Sequence, residues 1–156
     1  MKDGEYMARV QAMERRLYRI AHAILWCDAD CADAVQEAVF RGWMKRSTLR
    51  DKTYFETWLI RILINECRSL MRRQKMRGLP FTESAAEGRE TDIHLREALK
   101  KLPEKYRMPL LLHHMEGYSL KEIGEMLGIS AGLAKSRLHQ ARGALKKLLE
   151  EDGENH

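Results

Sequence analysis

The segment near the C-terminus carries side chains whose types and spacing suit contact with DNA. Between Ala131 and Leu149 there are five lysines and arginines and no acidic residue. Ser136, His139 and Gln140 add hydroxyl, imidazole and amide groups. Such groups hydrogen-bond to base edges in a major groove, while flanking cations neutralise phosphates. The segment therefore predicts a DNA-reading helix. The alternative is a solvated amphipathic helix without a partner, which usually mixes both signs of charge.

Local signals around this segment predict a helix-turn-helix. Ser119 and Glu122 have the spacing of a capping box, so a short helix should begin after Ser119. Gly128 can adopt the left-handed conformation that ends this helix, and Ser130 can cap the next one. The second helix has an apolar stripe made of Ala134, Leu138, Ala141, Leu145 and Leu148. Two helices joined by so short a turn must cross steeply, as they do in a helix-turn-helix.

A second cationic helix is predicted in the first half of the chain. Thr53 and Glu56 have capping-box spacing, and the helix should run to about Lys75. Its expected apolar face is Phe55, Trp58, Leu59, Ile62, Leu63 and Leu70. Its polar arc is Thr57, Arg61, Asn65, Arg68, Arg72 and Lys75. The preceding loop adds Arg46, Arg50, Lys52 and Tyr54. Such a stripe suits a phosphate backbone, and cations beside an aromatic ring suit unstacked bases.

An acidic and amide surface is predicted on an earlier helix, where Asp33, Gln36 and Glu37 recur at i, i+3 and i+4. DNA would repel this face. A protein partner rich in arginine and lysine could bind it, but exposed acidic side chains on a helix usually serve solubility. From the residues alone we favour the solubility interpretation.

The pattern as a whole predicts an all-α fold of two small helical domains joined by a flexible linker. The glycines are concentrated at the breaks between helical segments, and no segment shows the alternation of apolar and polar residues that is typical of a strand. The expected boundaries are a first domain at 1–77, a linker at 78–91, a helix-turn-helix domain at 92–151 and a tail at 152–156. The first domain should begin with helices near 5–26 and 28–46. The second should begin with helices at 93–101 and 104–115, the latter kinked by Pro109.

The sequence shows no residue set for catalysis. It has no nucleophile with a matching base, no phosphate loop and no metal-ligand spacing, so we expect no enzyme activity, no cofactor and no metal. Cys27 and Cys31 near His22 lack the spacing of a zinc site, and with Cys67 they should be small buried or half-buried thiols. The net charge of +5 suits a nucleic-acid partner. The sequence has no apolar run long enough to span a bilayer and no signal-peptide layout at its N-terminus, so we expect a cytoplasmic protein without membrane insertion.

The order of these pieces resembles the extracytoplasmic-function branch of the sigma-70-type RNA polymerase sigma factors of bacteria. "DADCADAVQEAVFRGW" is similar to region 2.2 of that family, and "FETWLIRILINECRSLMRRQK" to regions 2.3 and 2.4. "LKKLPEKYRMPLLLHHMEGYSLKEIGEMLGISAGLAKSRLHQAR" is similar to region 4 and is the most specific of the three. The resemblance covers nearly the whole chain apart from the linker and the tail.

The resemblance implies roles that composition cannot supply. It implies that Asp33, Gln36 and Glu37 bind the clamp helices of the polymerase β′ subunit. Contacts to the −10 element and its melting are expected at Arg50, Lys52, Tyr54, Arg61, Asn65, Arg68 and Arg72. Contacts to the −35 element are expected at Leu133, Lys135, Ser136, Arg137, His139, Gln140 and Arg142. The second domain should also bind the β flap, and an anti-sigma factor is an expected partner.

The chain also departs from the family pattern. Family members commonly have Gly-Thr-Val before Lys-Ser-Arg, whereas here Gly132 is followed by Leu133 and Ala134. Gln140 lies where arginine is frequent, and Ser69 where aspartate is common. Two alternatives from other classes stay open from the residues: a stand-alone helix-turn-helix regulator, which is typically dimeric on a palindromic site, and a nonspecific nucleic-acid-binding adaptor.

Overall fold

The structure is a computed structural model that describes residues 1–79 and 90–154. Every regular element in these two ranges is helical, which confirms the all-α fold class. The seven α-helices of the described ranges are α1 (Asp3–Leu25), α2 (Asp28–Met44), α3 (Phe55–Met76), α4 (Glu90–Lys101), α5 (Glu104–Leu110), α6 (Leu120–Leu127) and α7 (Ala131–Glu154). Short 3-10 turns lie at Arg46–Thr48 and Lys52–Tyr54, and a π-helical turn lies at Leu111–Met115.

The chain divides into two compact units. The first contains α1, α2 and α3, and the second contains α4, α5, α7 and the start of α6. Most of the predicted linker at 78–91 lies outside the described residues, so the domain boundaries stay predictions. Helix α7 runs to Glu154, three residues beyond the predicted end of the helix-turn-helix domain at 151.

In the first unit, α1, α2 and α3 pack around one core. Its largest fully buried side chains are Tyr6, Leu17, Ile20, Ile24, Leu59, Ile60, Leu63 and Ile64. The Tyr6 hydroxyl donates to the backbone carbonyl of Val39 at 2.6 Å, which satisfies a polar group inside this core. Gly42 lies directly beside it, since a Cβ there would come within 2.5 Å of the Tyr6 hydroxyl oxygen. A glycine is therefore needed for α2 to approach α1 at this point.

Two details of the predicted first domain are wrong. Thr57 was placed on the polar arc of α3 and is buried, while Ile60 and Ile64 join the core. The capping box of Thr53 with Glu56 does not form. Instead the Asp51 carboxylate accepts hydrogen bonds from the backbone N–H and the hydroxyl of Thr53.

In the second unit, α4, α5 and α7 enclose a smaller core. Met108, Leu112 and Ile123 are its largest fully buried side chains. The helix that was expected at 104–115 passes through Pro109 and widens into the π-helical turn at Leu111–Met115. Proline has no backbone N–H to donate, so the regular hydrogen-bond ladder cannot continue through it unchanged.

The predicted capping signals of the helix-turn-helix are confirmed. The Ser119 N–H donates to the Glu122 carboxylate at 3.0 Å, and the Glu122 N–H donates to the Ser119 hydroxyl at 3.2 Å. Gly128 has a φ of 71°, as a helix-ending glycine should. The Ser130 hydroxyl accepts from the N–H of Leu133 at 3.1 Å. These contacts define where α6 ends and where α7 begins.

Candidate nucleic-acid interfaces

One face of α7 is buried and the other is open to solvent. Ala134, Leu138 and Ala141 of the predicted apolar stripe are buried, whereas Leu145 and Leu148 are half-buried. The residues expected to contact the −35 element lie away from this stripe. Six of them are exposed, namely Leu133, Lys135, Ser136, His139, Gln140 and Arg142. Arg137 is half-buried. The arrangement leaves hydrogen-bonding and cationic groups accessible along the N-terminal half of α7.

Arg142 has a partner within its own unit. Its Nε donates to Nε2 of His114, on the π-helical turn, at 2.9 Å. This bond requires an unprotonated Nε2 on the imidazole. Partial loss of hydration, the charge of Arg142 and the neighbouring His113 together lower the pKa of His114 below its usual value. The neutral ring is therefore favoured, and Arg142 is held against the π-helical turn.

The outward face of α3 carries the second cationic surface. Arg61, Asn65 and Arg72 are exposed, and Arg68 is half-buried. One acidic residue lies within this run. The Glu66 carboxylate is 93% buried and lies 2.9 Å from Nε of Arg41 on α2. The turn that places Arg61, Asn65 and Arg68 outward points Glu66 inward, so the Glu66 charge is removed from the cationic surface of α3.

The loop before α3 contributes exposed side chains from Arg50 and Tyr54, the latter 47% exposed. Lys52 is also exposed, and its Nζ forms an ion pair with the Glu5 carboxylate of α1 at 3.0 Å. Arg46 also belongs to the predicted cationic loop. It lies over the ring of Trp43, with its guanidinium carbon 4.6 Å from the ring centre. The loop therefore contains an exposed cation, Arg50, and two cations that contact other side chains of the first unit, Lys52 and Arg46.

The acidic surface on α2 is accessible. Asp33, Gln36 and Glu37 are all exposed, and Glu37 accepts a hydrogen bond from Nε of Arg41 at 3.0 Å. The sequence reasoning missed the apolar neighbours of this surface, Phe40 and Trp43, whose rings stack with centres 6.5 Å apart. They are 54% and 38% exposed. Their i, i+4 and i+7 spacing from Gln36 could have placed them on the same face.

Other sequence-based expectations concern the cysteines and the membrane. Cys27, Cys31 and Cys67 are buried free thiols, which confirms the prediction for them. In the described part of the chain, no group of three or more metal-ligating side chains comes together. Among residues 1–79 and 90–154, no helix is long and apolar enough to cross a bilayer.

Two family models match the chain, and they match its two parts separately. The model for sigma-70 region 2 covers residues 9–77, and the model for sigma-70 region 4 covers residues 94–145. The "ECF RNA polymerase sigma factor SigM" of Mycobacterium tuberculosis H37Rv is 32% identical over 142 residues, which are 86% of this chain and 72% of SigM. The "RNA polymerase sigma factor SigZ" of Bacillus subtilis is 40% identical over 126 residues, 76% of this chain and 72% of SigZ.

Solved structures show the same similarity. The sigma factor RpoE of Bartonella quintana, crystallised with the anti-sigma factor NepR, has a TM-score of 0.81 at 26% identity, covering 94% of this chain and 97% of RpoE. CnrH, solved with the cytosolic domain of CnrY, shares the fold with a TM-score of 0.77 at 24% identity over 97% of this chain and 91% of CnrH. With both region models matched in order, this chain belongs to the extracytoplasmic-function branch of the sigma-70 family of RNA polymerase sigma factors.

Proposed function

We propose that the chain directs core RNA polymerase to specific promoters and assists strand opening there. The observation that carries this proposal is the presence of two exposed cationic faces, one on α3 and one on α7, each backed by the core of a separate helical unit. A stand-alone helix-turn-helix regulator is not favoured, because it leaves the region 2 match at residues 9–77 without a role. The two functions also predict different DNA affinities. A stand-alone regulator binds its site tightly without polymerase, whereas a sigma factor binds promoters stably only together with core polymerase.

The −35 element is assigned to the exposed face of α7. Arg137 and Gln140 have the donor groups that read base edges, and each lost base contact should cost about 1–3 kcal/mol. Arg137→Ala with Gln140→Ala should therefore reduce transcription from cognate promoters with core polymerase by one to several orders of magnitude. Lys147→Ala is the matched control, because it removes an exposed cation from the C-terminal half of the same helix. Unchanged promoter-specific transcription by the double variant would reject the assignment.

The −10 element is assigned to the exposed face of α3 and the loop before it. Arg61 and Arg72 can neutralise phosphates, and Asn65 can donate to a base or a phosphate. Tyr54 presents an aromatic face on which a flipped base can stack. Replacement of Tyr54 by Ala should reduce strand opening more than closed-complex formation. Permanganate reactivity of unpaired thymines measures strand opening, and footprinting of the duplex promoter at low temperature measures the closed complex.

Polymerase binding is assigned to α2. Asp33, Gln36 and Glu37 offer acceptor groups to cationic residues of the β′ clamp helices, and the stacked pair of Phe40 and Trp43 offers apolar area beside them. The cleaner charge reversal is Asp33→Lys, because reversal at Glu37 also breaks its bond to Arg41. The variant should lose co-purification with core polymerase and keep its helicity. Normal co-purification would contradict the assignment.

The second unit has a surface that suits the β flap. An apolar groove there lies between α4, the π-helical turn and the C-terminal half of α7, and Leu95, Leu99, Leu110, Leu145 and Leu149 line it. We further propose that an anti-sigma factor binds the chain and holds it inactive; the support is that the similar sigma factor RpoE of Bartonella quintana was crystallised in complex with the anti-sigma factor NepR. The chain would act in the cytoplasm, by binding rather than by catalysis, without a metal or cofactor.

A further inference from the structure

The loop between α2 and α3, residues 45–54, has no buried side chain to hold it in place. Leu49 and Arg46 are half-buried, and the other eight residues are exposed. Apolar packing fixes most ordered loops, and a loop that lacks it must be held by polar contacts against its conformational entropy. This loop presents Arg50 and Tyr54, which the proposed function assigns to promoter DNA. What holds the loop therefore bears on how the chain contacts DNA.

Part of the restraint lies within the loop. The Thr48 hydroxyl donates to the Lys45 carbonyl at 2.6 Å, and the Thr48 N–H donates to the same oxygen at 2.9 Å. The Asp51 carboxylate accepts from the N–H and hydroxyl of Thr53, and these two bonds lower the pKa of Asp51. These bonds shape the two 3-10 turns. They do not attach the loop to the rest of the unit.

Attachment comes from the first two turns of α1. The Glu5 carboxylate accepts from Lys52 Nζ at 3.0 Å and lies 3.4 Å from the guanidinium of Arg9. Arg9 in turn donates to the backbone carbonyl of Lys52 at 3.2 Å. Thus two side chains of α1 hold Lys52 by its ammonium group and by its main chain. The hydrogen bond from Lys52 also lowers the pKa of Glu5.

A second attachment holds the other end of the loop. The Asp3 carboxylate lies 2.9 Å from a guanidinium nitrogen of Arg46 and accepts from the indole N–H of Trp43 at 3.1 Å. Arg46 also donates to the carbonyl of Met1 at 3.2 Å and to the carbonyl of Trp43 at 2.7 Å. Arg9 and Arg46 each bond to more than one group, which restrains them better than a single surface ion pair would.

We propose that Asp3, Glu5 and Arg9 form a brace that fixes loop 45–54, and that Lys52 and Arg46 are positioning residues rather than direct contacts to promoter DNA. This inference rests on the proposed function and replaces the sequence-based role of Lys52. A DNA phosphate that recruited Lys52 would have to displace the Glu5 carboxylate at 3.0 Å. The brace instead leaves Arg50 and Tyr54 to meet the DNA and holds the backbone that carries them.

A charge exchange between Glu5 and Lys52 tests the brace in the full chain with core polymerase. Glu5→Lys and Lys52→Glu should each reduce open-complex formation by about threefold to tenfold, because an exposed pair is worth up to about a factor of five and reversal replaces attraction with repulsion. The combined variant should return to within about twofold of the wild type. Glu14→Lys is the matched control for the added positive charge, since Glu14 is an exposed residue nine positions further along α1.

The outcomes separate the possibilities. Rescue by the combined variant, with no effect of Glu14→Lys, supports the brace, since the exchange restores the ion pair between positions 5 and 52 while it removes the lysine that a direct phosphate contact would need. A combined variant as poor as Lys52→Glu alone would overturn it, because a carboxylate cannot replace a lysine that binds phosphate directly. Full activity of both single variants would overturn it as well. If the wild-type chain fails to start promoter-specific transcription, the proposed function itself is wrong.

Discussion

Replacement of Gly124 by alanine tests the geometry of the helix-turn-helix. Gly124 lies on α6, and its carbonyl accepts from the N–H of Ile129 at 2.9 Å across the turn. A Cβ at Gly124 would lie 2.7 Å from the carbonyl oxygen of Ile129 and 3.3 Å from the backbone nitrogen of Ala131. The first distance is 0.7 Å short of the 3.4 Å at which ordinary contact begins. Both neighbours are backbone atoms, so no side chain can rotate away.

Gly143→Ala is the matched control for this substitution. Gly143 lies within α7, and a Cβ there meets no heavy atom within 4 Å. Both variants gain about 1 kcal/mol of helix propensity over glycine. The Gly124 variant alone must also displace the start of α7, and overpacking of this kind costs about 1–3 kcal/mol. The free energies of unfolding of the two variants should therefore differ by about 1–3 kcal/mol, with Gly124→Ala the less stable.

Urea unfolding of the full chain, followed by circular dichroism at 222 nm, measures this difference. Two compact units need not unfold together, so the transition that changes in both variants belongs to the second unit. On the proposed −35 assignment, the Gly124 variant should also bind −35 DNA more weakly with core polymerase, because the start of α7 is displaced. If Gly124→Ala stabilised the protein as much as Gly143→Ala does, the close approach of α6 to the start of α7 would be refuted.

Three further outcomes can be checked with simpler measurements. Arg41→Ala should destabilise the first unit by about 1–3 kcal/mol in urea, because it leaves the buried Glu66 carboxylate without its partner, and adding Glu66→Gln should recover much of this. Ser119→Ala should cost about 1 kcal/mol in the same assay by removing the cap of α6. Burial raises the pKa of Cys31 to about 12, so thiol reagents at pH 8 should modify it only after unfolding. As the pH rises above about 9, the Cys31 thiol ionises in the unfolded chain but not in the folded one, so the free energy of unfolding should fall.

The signals that the sequence predicted correctly are local ones. The capping box of Ser119 with Glu122, the left-handed Gly128 and the Ser130 cap all depend on groups within three residues of one another. Among residues 1–79 and 90–154, no other side chain bonds to the capping groups of Ser119, Glu122 and Ser130. The family resemblance also came from the sequence, because contiguous motifs carry it, and both region models confirm it.

The capping box of Thr53 with Glu56 fits its pattern equally well and does not form. Asp51 offers Thr53 an acceptor two residues earlier, and Glu56 lies 3.2 Å from Arg16 of α1, forty positions away in the chain. A capping-box pattern shows that its two residues can bond to each other, but not whether other residues compete for them. Which partner a side chain takes depends on what folding brings beside it.

By itself, the sequence determined the helices, the caps of α6 and α7 and the two cationic faces, since helical periodicity and these caps are properties of neighbouring residues. Only the tertiary structure decided which cations are available. It pairs Lys52 with Glu5, Arg41 with Glu66 and Arg142 with His114. The residues of these pairs lie between 25 and 47 positions apart along the chain. Side chains so far apart in the sequence come into contact only when the helices pack, so no local sequence pattern can predict these pairs.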